Sequence, residues 1–220
     1  MREPYRVLLA DPPWAFRKGG AYGKRTADSF YATMSLEEIC GLNAWLFELS
    51  ASVSVCFLWC PCSILPDALH VLRAWGYTFK TVAFAWQKLS RRPLNSRAYL
   101  AAKAAGRTVV FYADPLDRNP RPYTLFTGMG HYSRQSVELC LLGTRGRLER
   151  HDRGVPQTLV APVQEHSRKP RETYGLIERL YGPQRRLELF ARAPGPPAGW
   201  DAWGDEATEV HHEALLRAGR

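Results

Sequence analysis

Residues 6–14 read RVLLADPPW, and they carry the most informative local pattern of the chain. Its first five residues form a short apolar run, which is typical of a strand buried in a sheet. The two prolines further on restrict the backbone, so the strand must end in a tight and rigid loop. This pattern predicts a buried strand whose carboxyl end carries a polar residue, Asp11, in a loop of fixed shape.

The rest of the chain alternates strand patterns with helix patterns. A capping box from Ser35 to Glu38 predicts the start of one helix, and Gly76 predicts the end of the next. Such alternation predicts an α/β fold with a mostly parallel, doubly wound sheet, in which ligands bind at the carboxyl ends of the strands. The predicted strands are residues 6–10, 52–59, 78–86, 137–142, 158–163 and 186–191, and the predicted helices are residues 35–49, 63–75 and 170–182.

The composition is that of a folded protein without a membrane span. The chain has 220 residues, 45% of them hydrophobic, and 30 basic against 21 acidic residues give a formal charge of +9. No apolar run approaches the roughly 18 residues that cross a bilayer, and the first residues lack the pattern of a signal peptide. We therefore expect one domain in the cytoplasm, and a disordered chain is excluded.

The five cysteines predict free thiols rather than a disulfide framework, because their number is odd and no secretion signal precedes them. Cys60 and Cys62 flank a proline, with Cys56 four residues upstream, which raises the alternative of a metal site. This spacing is not a standard zinc motif, and Cys56 lies in a strand pattern. Structural thiols without a metal are therefore the favoured interpretation.

Residues 88–124 lose the periodicity of their neighbours and gain arginines and prolines, apart from a short helix pattern at residues 98–105. Eight basic residues against two acidic ones give this segment a local charge of +6. Positive charge concentrated in one segment is typical of a surface that meets phosphates. We expect a long insertion that contacts nucleic acid through Arg91, Arg92, Arg97 and Arg107. The alternative is a flexible loop with incidental arginines.

The loop from Asp11 to Trp14 suits one demanding reaction, the alkylation of the 6-amino group of adenine. That amine is a poor nucleophile because its lone pair is delocalised into the ring. The Asp11 carboxylate and the Pro12 carbonyl are acceptors for its two hydrogens, and Pro13 helps to hold that carbonyl in place. The Trp14 ring offers a face on which a flipped base stacks. The alternative, an ordinary turn with a packed Trp14, is disfavoured by its position directly after a buried strand.

A second set of motifs lies towards the carboxyl terminus: EHSRKP at residues 165–170, YGLIE at 174–178, LELFAR at 187–192 and GWDAWGDE at 199–206. Together with the DPPW loop, these motifs resemble the DPPW-type adenine-N6 methyltransferases. Eukaryotic members of that family write N6-methyladenosine in messenger RNA, and bacterial and phage members act largely on DNA. The resemblance covers residues 6–87 and 126–206. It implies a Rossmann-like class I methyltransferase fold, circularly permuted so that the catalytic motif comes first and the cofactor motifs come last.

The resemblance also assigns roles to single residues. Asp11, Pro12, Pro13 and Trp14 match the catalytic tetrapeptide, and Asp11 and Pro12 also border the cofactor, S-adenosylmethionine. Lys169 would meet the carboxylate of that cofactor. Family members usually have Asn where this chain has Asp205, an acid that accepts a hydrogen bond from a ribose hydroxyl but cannot donate one. The adenosine and ribose pocket would be lined by Glu188, Phe190, Arg192, Asp205 and Glu206.

A loop at residues 127–130 matches a family loop that precedes Arg134 and Glu138. Arg134 would either touch substrate phosphate or pair with Glu138, and the sequence does not separate the two. We expect one methyltransferase domain over residues 1–206, with the basic insertion inside it and a tail at residues 207–220.

The expected activity is transfer of a methyl group from S-adenosylmethionine to the 6-amino group of adenine in DNA, in line and on a flipped base. RNA is the alternative substrate, and the compact chain without a zinc-finger module favours DNA. A catalytically silent nucleic-acid-binding partner is a further alternative, which the intact DPPW and RKP motifs disfavour. A monomer and a homodimer both stay open, and a bacterial or phage origin is inferred from the compact form.

Overall fold

The computed structural model describes residues 3–15, 33–115, 117–128, 130, 132–164 and 168–204. No helix in this described part of the chain is long and apolar enough to span a membrane. Strands and helices follow one another within it as β1 (Tyr5–Ala10), α1 (Leu36–Gly41), α2 (Asn43–Leu49), β2 (Ser50–Pro61), α3 (Leu65–Ala74), β3 (Thr78–Leu89), α4 (Ser96–Ala104), β4 (Val109–Tyr112), β5 (Arg121–Thr124), β6 (Val137–Arg145), β7 (Thr158–Pro162), α5 (Glu172–Tyr181), β8 (Arg186–Leu189) and β9 (Trp200–Trp203).

Seven of the strands form one sheet in the order β7-β3-β6-β2-β1-β8-β9. Strand β1 lies in the middle of the parallel part, between β2 and β8. Strand β6 is the exception, because it runs antiparallel to both β2 and β3. The other six strands point the same way, which confirms the mostly parallel, Rossmann-like α/β sheet. The carboxyl ends of the parallel strands and the start of β6 therefore meet at one edge.

The sheet separates two apolar layers. Neighbouring residues of β1 point to opposite faces, so Leu8 and Ala10 enter one layer while Val7 and Leu9 enter the other. Helices α1, α2 and α3 cover the first layer, and α5 covers the second. Their buried contributions are Ile39, Leu46, Val71 and Leu72 on one side and Ile177 and Tyr181 on the other.

Both boundary signals are confirmed, but the helix predicted at residues 35–49 is divided into α1 and α2, which meet at Leu42. Ser35 accepts from the backbone of Glu38, whose side chain accepts from the Ser35 backbone, so the capping box begins α1. Gly76 has φ +77°, a conformation that side chains disfavour, and a Cβ there would lie 2.5 Å from the Phe47 ring. Glycine is therefore required where the chain turns from α3 into β3.

The insertion differs from the prediction, since it is ordered and shorter. Strand β3 continues to Leu89, so Lys88 belongs to the sheet. Helix α4 is confirmed, beginning at its Asn95 cap, but β4 and β5 form a hairpin where the sequence predicted no regular structure. Both strands are short, and β5 contains a proline, which argues against a strand in a sequence pattern. Strand β9, also four residues long, was not predicted.

The buried thiols agree with a structural role. Cys56 and Cys60 lie in the layer beneath α1 to α3, and Cys140 lies in the opposite layer. All five cysteines are free, with Cys62 exposed at the end of β2. Among the residues that the structure describes, no group of three or more metal-ligating side chains comes together.

Candidate active site

The DPPW loop lies at the carboxyl edge of the sheet, directly after β1. Its backbone pairs with a distant segment: Met34 donates to the Pro13 carbonyl at 2.8 Å, and Ala15 donates to the Met34 carbonyl at 3.1 Å. The Asp11 side chain remains about a quarter exposed (24%). The loop therefore presents one carboxylate to solvent on a backbone fixed from both sides.

Trp14 anchors this loop from within. Its side chain is only 7% exposed and belongs to the layer beneath α1 to α3. Its indole N–H donates to the Trp59 carbonyl at 3.1 Å, which ties the loop to β2. This burial indicates an anchoring role, and the stacking role for Trp14 stays a prediction.

The Pro12 carbonyl closes a tight turn, because it accepts from the Trp14 backbone N–H at 2.8 Å. A carbonyl oxygen has two lone pairs, so one acceptor site remains after this bond. Pro12 is itself buried. The turn fixes the direction of the carbonyl, and its contact with a substrate amine stays a prediction.

Lys169 reaches this carboxylate from the loop before α5. Its ammonium donates to Asp11 Oδ2 at 2.9 Å and lies 3.0 Å from Glu138 Oε1. Burial alone would lower the pKa of Lys169, but the two carboxylates outweigh it and hold this pKa above its ordinary value. Burial raises the pKa of Asp11, which Lys169 lowers in part and Glu138 raises further. Lys169 is thus a permanent cation beside the DPPW carboxylate.

Glu138 is held by two lysines rather than by Arg134. Its carboxylate is 3% exposed, with Oε2 lying 2.6 Å from the Lys88 ammonium. Burial raises the pKa of Glu138, but Lys169 and Lys88 together bring it below its ordinary value. Arg134 is exposed. The ion pairs of Glu138 with described residues thus go to the lysines, so the alternative that paired it with Arg134 is wrong.

A cavity of about 250 Å³ opens between the Lys169 loop, α5 and the end of β8. Asp11, whose side chain is about a quarter exposed, and Lys169 both line it. So do the three predicted pocket residues on and after β8, namely Glu188, Phe190 and Arg192. Pro12 does not line it, and Asp205 and Glu206 lie outside the described residues. The sequence motifs at the two ends of the chain therefore meet around one cavity.

Three buried polar atoms of this cavity have no hydrogen-bond partner among the described residues. They are the indole N–H of Trp59, the hydroxyl of Thr173 and one oxygen of Glu188, Oε2. The other oxygen of Glu188 accepts from the Tyr174 hydroxyl at 2.9 Å. Burial raises the pKa of Glu188 to about 7, although the bond from Tyr174 lowers it. An unsatisfied buried polar group is costly, so these atoms indicate a polar ligand.

The segment that lines the cavity directly after β8 has an unusual backbone conformation at Phe190. Phe190 has φ +61°, a region that side chains rarely occupy outside functional sites. Its neighbour Ala191 donates to the Trp203 carbonyl at 2.9 Å. A Cβ on Gly204 would lie 2.4 Å from the Ala191 carbonyl oxygen, so only glycine allows β9 to close against this bend.

The basic residues of the insertion divide into two kinds. Arg91, Arg92, Arg97 and Arg107 are exposed, as expected of residues that meet a phosphate backbone. Lys88 pairs with Glu138 and Arg121 pairs with Asp117, so these two charges are held in ion pairs. The hairpin docks near the cavity, because the Tyr112 hydroxyl donates to Glu172, at the start of α5, at 2.5 Å.

Sequence reasoning missed the two residues that complete this edge, Trp59 and Lys88, and the pairing of Glu138. Trp59 lies near the carboxyl end of β2, beside β1, so the rule for ligand sites could have found it. Glu138 lies at the amino end of a strand. Only the antiparallel direction of β6 brings it to the same edge, and the sequence does not show that direction.

The family comparison agrees with this geometry. The MT-A70 family matches residues 5–103 and 119–206. The unmatched residues are 1–4, 104–118 inside the insertion, and the tail at 207–220. The chain belongs to the MT-A70 family. This confirms the resemblance on which the residue roles rest.

Similar proteins of the MT-A70 kind come from distant organisms. The N(6)-adenosine-methyltransferase MT-A70-like protein of Arabidopsis thaliana is 29% identical over 94% of this chain and 24% of its own length. The type II methyltransferase M.MunI of Mycoplasma sp is 25% identical over 93% of this chain and 78% of its own length. Human METTL3, an N(6)-adenosine-methyltransferase catalytic subunit, is 26% identical over 94% of this chain and 29% of its own length. The chain thus spans about a quarter of its eukaryotic relatives.

Methyltransferases of the MT-A70 family use S-adenosylmethionine, and the cavity fits that molecule chemically. The unsatisfied oxygen of Glu188 is an acceptor suited to the two ribose hydroxyls. At the Asp11 end, Lys169 and the unsatisfied indole N–H of Trp59 are donors suited to the methionine carboxylate. The residues present therefore provide an acceptor at one end of the cavity and donors at the other.

Proposed function

We propose that this MT-A70 protein transfers a methyl group from S-adenosylmethionine to the 6-amino group of adenine in DNA. The observation that carries the proposal is the position of the Asp11 carboxylate. It is partly exposed to solvent and lines a cavity in which three buried polar atoms have no hydrogen-bond partner among the described residues. One carboxylate thus borders both the cofactor cavity and the solvent from which a base would arrive.

The chemistry divides between the cofactor and the chain. S-adenosylmethionine, when bound, supplies an electrophilic methyl group on a sulfonium. Lys169 and Trp59 would hold its methionine end, and Glu188 its ribose. Asp11 Oδ2 is committed to Lys169, so Oδ1 is the oxygen that accepts a hydrogen from the adenine amine. The Pro12 carbonyl, fixed by its turn, accepts the second hydrogen.

The proton balance needs no strong base. The amine nitrogen gains a methyl group and loses one proton, which is acidic once the new bond has formed. Asp11 Oδ1 accepts that proton and passes it to water. Because burial raises the pKa of Asp11, this carboxylate accepts a proton more readily than an exposed aspartate does.

DNA is preferred over RNA on two grounds. One is the similarity to the type II methyltransferase M.MunI of Mycoplasma sp, and the other is that bacterial members of the family that the motifs resemble act largely on DNA. The four exposed arginines of the insertion suit a phosphate backbone of either kind. RNA is therefore the second candidate.

The decisive experiment follows tritium from S-adenosylmethionine into unmethylated duplex DNA, single-stranded DNA and RNA of matched sequence. We expect N6-methyladenine in DNA, identified by mass spectrometry of the nucleosides. Transfer to RNA alone would show that RNA, not DNA, is the substrate of the same reaction. Transfer to no adenine-containing polymer would refute the proposal. Calorimetry with S-adenosylmethionine then tests the alternative of a silent partner, which should not bind the cofactor.

The role of the insertion is tested by charge removal. Replacing Arg91, Arg92, Arg97 and Arg107 by Gln should weaken DNA binding and reduce the slope of log affinity against log salt by about 3 to 4. The matched control removes four exposed charges from the opposite edge of the sheet, at Arg73, Lys80, Arg147 and Arg150. Equal effects of the two sets would favour the alternative of an incidental basic loop.

A further inference from the structure

Glu138 and Lys88 are charged, largely buried and without a part in the reaction as proposed. Glu138 is 3% exposed and bridges two ammonium groups, with Lys88 at 2.6 Å and Lys169 at 3.0 Å. The Lys88 ammonium also lies 4.8 Å from the centroid of the Trp86 ring. Asp11, Lys169, Glu138 and Lys88 thus form a continuous row in which negative and positive charges alternate.

This row crosses the sheet at its catalytic edge. In the sheet order, β2 separates β1 from β6, so Asp11 and Glu138 stand on either side of β2. Lys169 spans that gap, with its ammonium 5.9 Å from the centroid of the Trp59 ring. Lys88 extends the row by one more strand, to β3. Four elements far apart in sequence are therefore tied together at the carboxylate that borders the cavity.

Stability alone is a poor reason for such a row. Taking charges out of water costs as much as their mutual attraction returns, and apolar side chains of similar volume often serve a core equally well. A buried charge network that ends on a residue of the reaction site is more often tied to that site. The row has two negative and two positive members, so it holds Lys169 and Asp11 in place without adding net charge.

We propose that Glu138 and Lys88 are positioning residues of the transfer reaction: Lys88 fixes Glu138, and Glu138 holds the Lys169 ammonium against Asp11. The proposal rests on the proposed function, whose reacting carboxylate is Asp11. Without Glu138, the long Lys169 side chain would be free to turn towards Glu188 on the other side of the cavity. With Glu138, Asp11 Oδ2 stays occupied, and Oδ1 alone faces the amine.

The row has a consequence for acidity that distinguishes positioning from simple support. Removing Glu138 frees Lys169 from Asp11, and the lost contact with Lys169 should raise the pKa of Asp11, because Lys169 affects this pKa more strongly than Glu138 does. If Glu138 were simple support and Lys169 stayed in place, the pKa of Asp11 would fall instead. Removing the positive charge of Lys88 should raise the pKa of Asp11, because Glu138 then loses one of its two counter-charges. The groups that face Asp11 from the surrounding elements are Lys169, Glu138, Arg192, Glu188, Tyr174, Cys60 and Cys140.

The experiment compares Glu138→Gln with Lys88→Met in the full chain. Both should lower kcat by about tenfold to a hundredfold, as misplaced reacting groups do. The acid limb of the kcat profile should move to higher pH in both variants, because each loosens Lys169 from Asp11. Lys88→Arg should restore wild-type behaviour, and Lys80→Met, which removes an exposed lysine at the opposite edge of the sheet, should change neither quantity.

A second readout does not depend on turnover. The pKa of the Asp11 carboxyl, followed by carbon-13 NMR, should rise in both variants. A lower pKa of Asp11 in Glu138→Gln, or no shift in either variant, would overturn the proposal and leave the row as structural support. Should Glu138→Gln fail to fold, an unchanged kcat and an unchanged Asp11 pKa in Lys88→Met would still overturn the proposal. If no adenine polymer is methylated yet both NMR shifts appear, the proposed function fails while the charge row stands.

Discussion

The two edges of the sheet both carry partly buried charges, but they differ in their unsatisfied buried polar atoms: among the described residues one, Arg145 Nε, lies at the amino edge, and three belong to residues that line the cavity at the carboxyl edge. At the amino edge, Asp201 accepts from Tyr5 at 2.7 Å and from Arg185 at 3.1 Å. The Arg185 guanidinium also lies 4.1 Å from the centroid of the Tyr5 ring. This group, the amino-edge clamp of Tyr5, Arg185 and Asp201, ties the starts of β1, β8 and β9 to one another.

At the carboxyl edge, the charges surround a cavity and several polar atoms stay unsatisfied. The Glu188 oxygen and the Trp59 indole N–H lack partners among the described residues, while Lys169 holds Asp11 at 2.9 Å. A set of groups built only for stability would pair these atoms with each other. We infer that the amino-edge clamp stabilises the sheet, whereas the polar groups of the carboxyl edge are placed to bind a ligand. Substitutions at the two edges should therefore separate activity from stability.

The largest effect is expected from Asp11→Ala. It removes the acceptor for the amine hydrogen, so methyl transfer should fall by about 1000-fold or more. Cofactor binding should weaken but stay measurable by calorimetry, because the other cavity residues remain. Lys169 keeps Glu138 as a partner, so the fold should persist in circular dichroism. Activity within about tenfold of wild type would remove Asp11 from the reaction and undo the contrast between the edges.

The second prediction concerns pH and Glu188, whose pKa rises from 4.5 to about 7 on folding. The folded protein then holds more protons than the unfolded chain between those values. The stability from this group is therefore present below pH 4.5 and is lost as the pH rises towards 7. The loss should reach about 3 kcal/mol in urea unfolding, and Glu188→Gln should flatten that slope.

Ligand affinity should follow the opposite trend. Ribose hydroxyls donate to the ionised carboxylate, so S-adenosylhomocysteine should bind up to about tenfold more weakly for each pH unit below 7. Glu188→Gln should bind it with little pH dependence over that range. An unchanged pH dependence in Glu188→Gln would assign the titration to another group.

The third prediction tests the backbone that closes the cavity. A Cβ on Gly204 would lie 2.4 Å from the Ala191 carbonyl oxygen and 2.5 Å from its nitrogen, so Gly204→Ala forces β9 away from the bend. The free energy of unfolding should fall by about 2 kcal/mol. Gly175→Ala is the control, because nothing lies within 4 Å of that position in α5 and alanine should stabilise the helix by up to about 1 kcal/mol.

The sequence predicted the elements whose signals are local. The apolar run before Asp11 gave β1, and the capping box at Ser35 gave the start of α1. Helix α5 is confirmed at residues 172–181, where Pro170 and Gly182 bracket the pattern. These features depend on residues that are neighbours in the sequence, so a single sequence is enough to predict them. Strands β4, β5 and β9 were not predicted, whereas β8, which is equally short, was found because its apolar pattern continues to Ala191.

The residues of the candidate site also fall into two groups, those with a local sequence signal and those that depend on the tertiary arrangement. Motif residues such as Asp11, Lys169 and Glu188 were predicted from resemblance, and the structure brings them to one cavity. The partner of Lys169 on its other side, Glu138, depends on an antiparallel strand between two parallel ones, which no local pattern reveals. The sequence shows the charge of Lys88, which contributes to the +6 of residues 88–124, but it does not show the ion pair with Glu138.

The smallest effect is expected at the amino-edge clamp. Asp201→Asn removes the charge that Arg185 pairs with and weakens the bond from Tyr5, so the free energy of unfolding should fall by about 1 kcal/mol. Methyl transfer should stay within about twofold of wild type, because the clamp lies at the edge away from Asp11. Tyr5→Phe removes the same bond from the other side, and the double variant should lose less than the sum of the two. A fall in activity at unchanged stability would show that the amino edge also shapes the cavity.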